Sequence, residues 1–489
     1  MLVPVLALSF VAAACGDDDD DGAADATTEP AGSDAATAST AATGATEGTT
    51  AATSEESAPD DTSATTGGDD GASASGEVPP GGDGSADLGA FKLGVINSND
   101  LFPDYSGAIE AAVEYANAEL NGLEGRDIEL NVCTIDYNTP DDTQRCANEL
   151  AAAEVDFAVS TLNQFGTHMQ ILRGAGIPVL VGTAVSVPDY TTEGVYAVLP
   201  GGGCAGTLTG MAKYAAQELG AKKIAVPYYD IPSGVLCYAD SEQKPLDVLN
   251  GSEEGSSSPD AGSIPDLTYQ GFAVPPTEPD LTSIANQILS YEPEAIIFSG
   301  PATVCFPLLA AMNQVGYSID EIPFVMTQSC FDQAGAEDAG DSAVGLYLVG
   351  SSAYLASDPA TLSGKQADEA ELYQAKVAEY GLDPELMTRG FSQAGFSLIM
   401  SMVQRAAEVA ESGGQVDGTA LAEAFANTDE APQFGGTPIS CSAAVAPYVT
   451  LCNTHVAVTQ WDGTTQQPVI EDYYAVDLTE GTDIRTEPK

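Results

Sequence analysis

The chain has 489 residues, 73 of them Asp or Glu and 14 Lys or Arg, for a formal net charge of −59. That balance excludes nucleic-acid binding, which needs clustered cations to displace phosphate counterions, and it disfavours polyanionic substrates and anionic lipid surfaces. Positive partners and neutral small molecules remain, and at 44% hydrophobic residues the chain can build a sizeable core, its length matching about three domains of roughly 150 residues each.

The charge is unevenly spread. Residues 16–89 carry 18 acidic side chains and no Lys or Arg, which leaves 55 acids and 14 bases, net −41, from residue 90 onward. A strongly hydrated, salt-adapted surface and a generally acidic proteome both fit this. Residues 2–14 form one apolar run ending on small residues before Cys15. The run is shorter than the about 20 residues a membrane span takes, and it reads as a secretory leader. Ala12-Ala13-Ala14-Cys15-Gly16 resembles the lipobox of bacterial lipoproteins, which implies a lipid on Cys15, with an ordinary leader as the alternative. Residues 16–89, rich in Asp, Ala, Thr and Gly, offer too little apolar surface to offset ordering entropy and read as a disordered acidic tether.

Eight cysteines follow: Cys133, Cys146, Cys204, Cys237, Cys305, Cys330, Cys441 and Cys452. An even count in an exported chain suggests four disulfides, although eight cysteines allow 105 connectivities. With no C-x-x-C and only His168 and His455 as further ligands, zinc is a poor alternative. Nearest-neighbour pairing is expected: 133–146, 204–237, 305–330 and 441–452.

From Phe91 short apolar runs alternate with amphipathic stretches, the signature of parallel sheets with crossover helices. Residues 91–97 read as a buried strand. Residues 108–121 read as a helix with Ile109, Val113, Ala116 and Leu120 on one face, Asp104 or Ser106 as N-cap and Gly122 as stop. Further strands are expected at 128–136, 157–161, 178–183, 223–229, 295–300, 323–328 and 345–351. Helices are expected at about 141–153, 207–219, 281–291, 303–315, 366–380, 392–411 and 418–427. The stretch 240–280, rich in Ser, Pro, Gly and Asp, shows no clear period and reads as a long surface loop. The last segments read as antiparallel strands around a hairpin.

The order of several short runs carries a resemblance. The first strand and its polar loop with Tyr105-Ser106-Gly107 are followed by Asp136-Tyr137-Asn138-Thr139-Pro140, Gly174-Ala175-Gly176-Ile177-Pro178, Leu219-Gly220-Ala221-Lys222-Lys223 and Glu292-Pro293-Glu294-Ala295. Over about 91–475 the chain resembles the branched-chain amino-acid (leucine/isoleucine/valine) binding proteins, type I solute-binding proteins of ABC importers. The resemblance implies an α/β fold of two lobes, each a parallel sheet flanked by helices, joined by a three-strand hinge around a ligand cleft. Lobe one is expected at 91–202 plus 351–439 and lobe two at 203–350 plus 440–475, with a C-terminal tail at 476–489. Nearest-neighbour pairing then puts one disulfide in lobe one and three in lobe two, leaving the hinge unlocked. The Gly201-Gly202-Gly203 run suits that hinge better than a phosphate cradle.

In open parallel sheets ligands bind beyond the carboxyl ends of the strands. The candidate loops are 98–106, 160–167, 182–187, 229–234, 299–304 and 327–332. The resemblance assigns ligand contacts to Asn163, Gln164 and Phe165, to Thr183, Ala184 and Ser186, and to Ser233 from the second lobe. Where the family places an acidic partner for the ligand ammonium this chain has Gln328 and Ser329, leaving Asp100, Asp230 or Asp332 to supply a charge. Phe102, Tyr105, Phe165, Tyr228 and Tyr229 read as cleft walls or as core packing, Thr183 and Ser186 as contacts or turn caps, and His168 as a core or surface residue.

No nucleophile elbow, phosphate loop, dinucleotide fingerprint or H-E-x-x-H helix occurs. The reading is a monomeric extracytoplasmic lipoprotein without cofactor, held to the membrane only through its N-terminal lipid. It captures a small organic solute, an amino acid or a related compound, for an ABC permease. A ligand sensor of the same fold and an extracellular hydrolase are the alternatives.

Overall fold

A computed structural model describes residues 78–277, 280–470, 473–478 and 482–489. The expected leader, Cys15 and the tether up to residue 77 lie outside the described residues. A first sheet consists of β1 (Phe91–Asn97), β2 (Ile128–Thr134), β3 (Phe157–Leu162), β4 (Val179–Thr183) and β5 (Val195–Tyr196), all parallel in the order β2-β1-β3-β4-β5. Every residue of β3 is buried, and so is all of β1 except the half-buried Lys92. Helices cover both faces of such a sheet, so its strands read as near-continuous apolar runs.

A second sheet holds β6 (Lys223–Tyr229), β7 (Thr268–Val274), β8 (Ala295–Phe298), β9 (Phe324–Thr327), β10 (Tyr347–Gly350), β11 (His455–Trp461) and β12 (Gln466–Pro468), in the order β12-β11-β10-β9-β8-β6-β7. Strands β6 to β10 are parallel; β11 and β12 run antiparallel at one edge, where β13 (Tyr474–Ala475) also pairs β11. Helix Ser392–Glu411 packs on helix Pro103–Glu119 beside the first sheet, so the chain passes between the two layers three times: after β5, after β10 and before β11. This is the two-lobed α/β architecture that the strand pattern and the resemblance implied. At the first passage Gly203 has φ +93°, and a Cβ there would lie 2.3 Å from the backbone N and O of Ala184. Only glycine lets helix Cys204–Lys213 start this close to the end of β4.

All four disulfides join nearest neighbours, Cys133–Cys146, Cys204–Cys237, Cys305–Cys330 and Cys441–Cys452. One placement differs. The Cys441–Cys452 pair, expected with lobe two, lies against the first sheet: Cys441 N donates to Thr428 Oγ1 at 2.9 Å and Cys452 N to Ala197 O at 3.0 Å.

Three further expectations are corrected. The segment 240–280 is not a loop: a π-helical turn over Tyr238–Gln243 runs into helix Lys244–Asn250, and β7 follows. Its helical part shows no single apolar stripe because it is buried on nearly every side, Leu246, Val248 and Leu249 inside together with Lys244 and Asp247. Lys244 is fully buried, with Nζ donating to Asp240 Oδ1 (3.0 Å), Tyr448 Oη (3.1 Å) and Asp483 O (3.0 Å). Arg485, from the C-terminal tail, bonds Asp247 Oδ2 at 3.0 Å. The last residues assigned to the tether, 78–89, are also ordered onto the fold. Val78 is buried, Gly81 N donates to Leu120 O, Ser85 N to Glu124 O, and Ser85 Oγ accepts from Val416 N at 2.8 Å. Backbone bonding rather than apolar burial holds this stretch, so composition does not betray it. Finally, neither Asp104 nor Ser106 caps the first helix, which begins at Pro103 with Phe102 as N-cap. The Asp104 side chain serves a different partner, described below.

Candidate ligand-binding site

The carboxyl ends of both sheets face one cavity of about 190 Å³. The first sheet contributes Phe102 after β1, Tyr137 and Asn138 after β2, and Thr183 and Val185 at the end of β4. From the second come Tyr229 and Ser233 after β6, Ser299 to Pro301 after β8, and Thr327, Gln328 and Ser329 at β9. Gly203 and Thr207, from the first passage and the helix after it, and Gly390 and Phe391, before helix Ser392–Glu411, complete the wall.

The aromatic side of the wall is rigidly built. Phe102 meets Tyr137 edge-on at 5.6 Å and Phe391 edge-on at 5.3 Å, and the buried Tyr105 stacks on Phe391 from behind at 5.1 Å. Gln164 Nε2 donates to Tyr137 O at 2.8 Å, fixing the loop after β2. Asp104 Oδ2 accepts the Phe391 backbone N–H at 2.9 Å and so ties the first helix to the start of helix Ser392–Glu411. The polar side is a run of short hydroxyls: Thr327 Oγ1 and Ser329 Oγ lie 2.7 Å apart, and Ser329 Oγ donates to Gly300 O at 3.2 Å.

The two lobes touch across the cavity. Tyr137 Oη and Ser233 Oγ are 3.1 Å apart and buried, and Arg389 pairs with Asp332 at 3.5 Å. At Gly390 a Cβ would stand 2.1 Å from Gln328 O and 2.6 Å from Ser329 Cα, so the two backbones meet without room for a side chain.

Of the residues singled out in the sequence, Phe102, Thr183, Tyr229, Ser233, Gln328 and Ser329 line the cavity. The others stand outside it. Asp100 and Asp230 are exposed, and Phe165 is half-buried away from the cavity. Asn163 is buried with its Nδ2 donating to Ser160 Oγ at 2.6 Å, and Gln164 acts behind the wall. Ala184 spends its carbonyl on Cys204 N and Tyr190 Oη. Ser186 closes a capping box with Asp189 on the short helix Val187–Thr191, the structural reading of that residue. Asp332 is taken up by Arg389. His168 is a core residue whose Nε2 meets Ser160 Oγ at 2.8 Å, and burial pushes its pKa down to about 4. Tyr137, Gly390 and Phe391 went unassigned. The first lies in a quoted motif, after β2, and could have been found by extending the carboxyl-end rule to that loop; the other two carry no local signal.

Two buried carboxyls give the fold a pH dependence. Burial raises Asp104 to about 6 and Asp189 to about 7, against the backbone hydrogen bonds that favour their ionised forms. A raised folded pKa contributes stability that is fully present below the unfolded value near 4 and lost as pH rises through the folded value. The unfolding free energy of wild type relative to Asp104→Asn is therefore expected to fall between about pH 4 and 6, by on the order of 3 kcal/mol for a shift of about two units. Urea titrations at several pH values check this, and a pH-independent difference refutes it.

The sequence profile of the periplasmic binding protein family matches residues 93–244 and 261–465. No curated protein matches the chain. Among solved structures, a solute-binding protein of an ABC transporter from R. palustris in complex with 4-hydroxybenzoate superposes with TM-score 0.60 at 18% identity, covering 80% of this chain and 99% of that one. A leucine-binding protein from Thermotoga maritima gives TM-score 0.56 at 14% identity over 80% and 99%. A branched-chain amino acid transporter substrate-binding protein from Streptococcus pneumoniae, in complex with isoleucine, gives 0.56 at 13% over 79% and 99%. With a matching profile over most of its length and two lobes of parallel sheet meeting at their carboxyl ends, this chain belongs to the periplasmic binding protein family.

Proposed function

We propose that this protein captures a small organic solute between its two lobes and delivers it to an ABC import permease, from the outer face of a membrane to which a lipid on Cys15 holds it. The observation that carries the reading is the cavity itself, walled by strand ends of both sheets and bridged by the Tyr137–Ser233 contact. A solute bound there touches both lobes at once, so it stabilises the closed arrangement over any open one by its contacts with the far lobe. Aromatic rings supply apolar burial and the short hydroxyls fix orientation. The solutes named for the neighbouring structures, 4-hydroxybenzoate and isoleucine, are of the size such a cleft would take. Amino acids and related compounds form one class to screen and small aromatic acids a second. No nucleophile stands beside a base in the wall, and binding without turnover is the expected behaviour.

Thermal unfolding with a panel of amino acids, amides, carboxylates, polyamines and sugars tests capture. A solute that binds only the native state adds about 2.7 kcal/mol at 100-fold excess over Kd. A selective shift, with the compound recovered unchanged, supports the reading; chemical conversion of the bound compound refutes it. Palmitate labelling of cells tests the anchor: label is expected on the wild-type protein and absent from Cys15→Ala.

A further inference from the structure

We propose that the solute this cleft selects carries no formal charge and presents a carboxamide-like edge, one donor beside one acceptor, to Gln328. The inference rests on the capture reading and narrows it. Among the residues that line the cavity there is no Asp, Glu, Lys, Arg or His. The ionised groups closest in the chain are already engaged or lie outside. Asp104 accepts the Phe391 N–H, Asp332 pairs with Arg389, and Asp100 and Asp230 are exposed. An ammonium or carboxylate drawn into this space loses its water without gaining a counter-charge, and that loss exceeds what hydroxyls return. The net charge of −59 adds a long-range penalty against anions.

Gln328 gives the ligand its chemistry. It belongs to the cavity wall and is 3% exposed, yet neither its Nε2 nor its Oε1 has a hydrogen-bond partner among the described residues. A buried amide with both ends unmatched is costly and marks a place where a partner arrives. Its position is fixed from two sides. A Cβ on Gly350 would stand 2.4 Å from Gln328 Cβ, and one on Gly390 would stand 2.1 Å from its carbonyl oxygen, so the residue is packed against two backbones. A primary amide, a lactam or a urea satisfies donor and acceptor together. A carboxylate matches Nε2 alone and an ammonium Oε1 alone. Phe102 and Phe391 then cover an apolar body.

The test uses the full-length protein and two series, each keeping one apolar body and varying the polar head group and its charge: benzamide, benzoate, benzylamine and phenylalanine, then isovaleramide, isovalerate, isoamylamine and leucine. Affinities come from calorimetry, with thermal unfolding as a check on folding. The amide is expected to bind at least about tenfold tighter than the charged members of its series, a difference of about 1.4 kcal/mol. Gln328→Leu is expected to erase that preference, and the near-isosteric Gln328→Glu to turn it toward the amine. A charged member outranking its amide in both series, or an amide preference untouched in both variants, overturns the inference and leaves capture standing. Silence of all eight compounds counts against capture by this cleft and overturns the inference with it.

Discussion

Replacing Lys244 with methionine is expected to destabilise the native state by about 3–5 kcal/mol, the cost of leaving a partner charge buried alone. The Lys244 ammonium is wholly inside the protein, and Asp240, 3% exposed, also accepts from Tyr448 Oη at 2.6 Å and Arg485 N at 2.8 Å. Methionine keeps the stem's volume but removes three hydrogen bonds, to Asp240, Tyr448 and Asp483. The double variant Lys244→Met/Asp240→Leu should recover most of the loss, because both charges then disappear together. Urea denaturation of the single and double variants measures this. A single-variant loss below about 1 kcal/mol would show that water or a nearby group compensates the carboxylate, and the network would then not be what holds the C-terminal tail to helix Lys244–Asn250.

Gly390→Ala is expected to weaken solute binding at least about tenfold, or about 1.4 kcal/mol, while leaving the stability of the chain within about 0.5 kcal/mol. The reason is geometric. A methyl at residue 390 would overlap the Gln328 carbonyl and the Ser329 Cα across the cavity, and both are backbone atoms that cannot turn aside. Relief comes only by parting the lobes, which separates Tyr137 from Ser233 and opens the site. Calorimetry with the tightest compound of the two series, together with small-angle scattering for the closed fraction, checks the result. Unchanged affinity would mean that capture does not depend on this closure.

The strands were legible because burial on both sides makes them apolar throughout. β6 was placed to the residue, and β1 likewise, from runs without interruption. Helix Ser392–Glu411 was equally plain, its apolar period holding over 20 residues. The two-residue β5 was too short to register, and β7 lay hidden in a stretch whose composition is that of a loop. Helix Lys244–Asn250 failed for a different reason. It is buried on nearly every side, with Lys244 and Asp247 inside beside Leu246 and Leu249, so it lacks the one apolar face that periodicity arguments recognise. The loops after strands were located by the carboxyl-end rule, and six of the fourteen proposed ligand residues line the cavity. Of the rest, Asp100 and Asp230 face solvent, while Ser186 in its capping box and Ala184 under helix Cys204–Lys213 do structural work.

The sequence by itself determined the alternation of strand and helix and an acidic character, because each depends on residue type and short separations, and it offered nearest-neighbour cysteine pairing as the simplest of 105 connectivities. Tertiary structure alone decided which side chains form the cleft. Gly390 and Phe391 reach it from a segment nearly three hundred residues beyond Phe102, and nothing local in either stretch records that meeting. It also decided the cleft's charge. The sequence offered three aspartates as ammonium partners, and the fold turned two to solvent and gave the third to Arg389. Charge in a binding site depends on where the backbone aims a side chain, and that direction is set by the packing of both lobes.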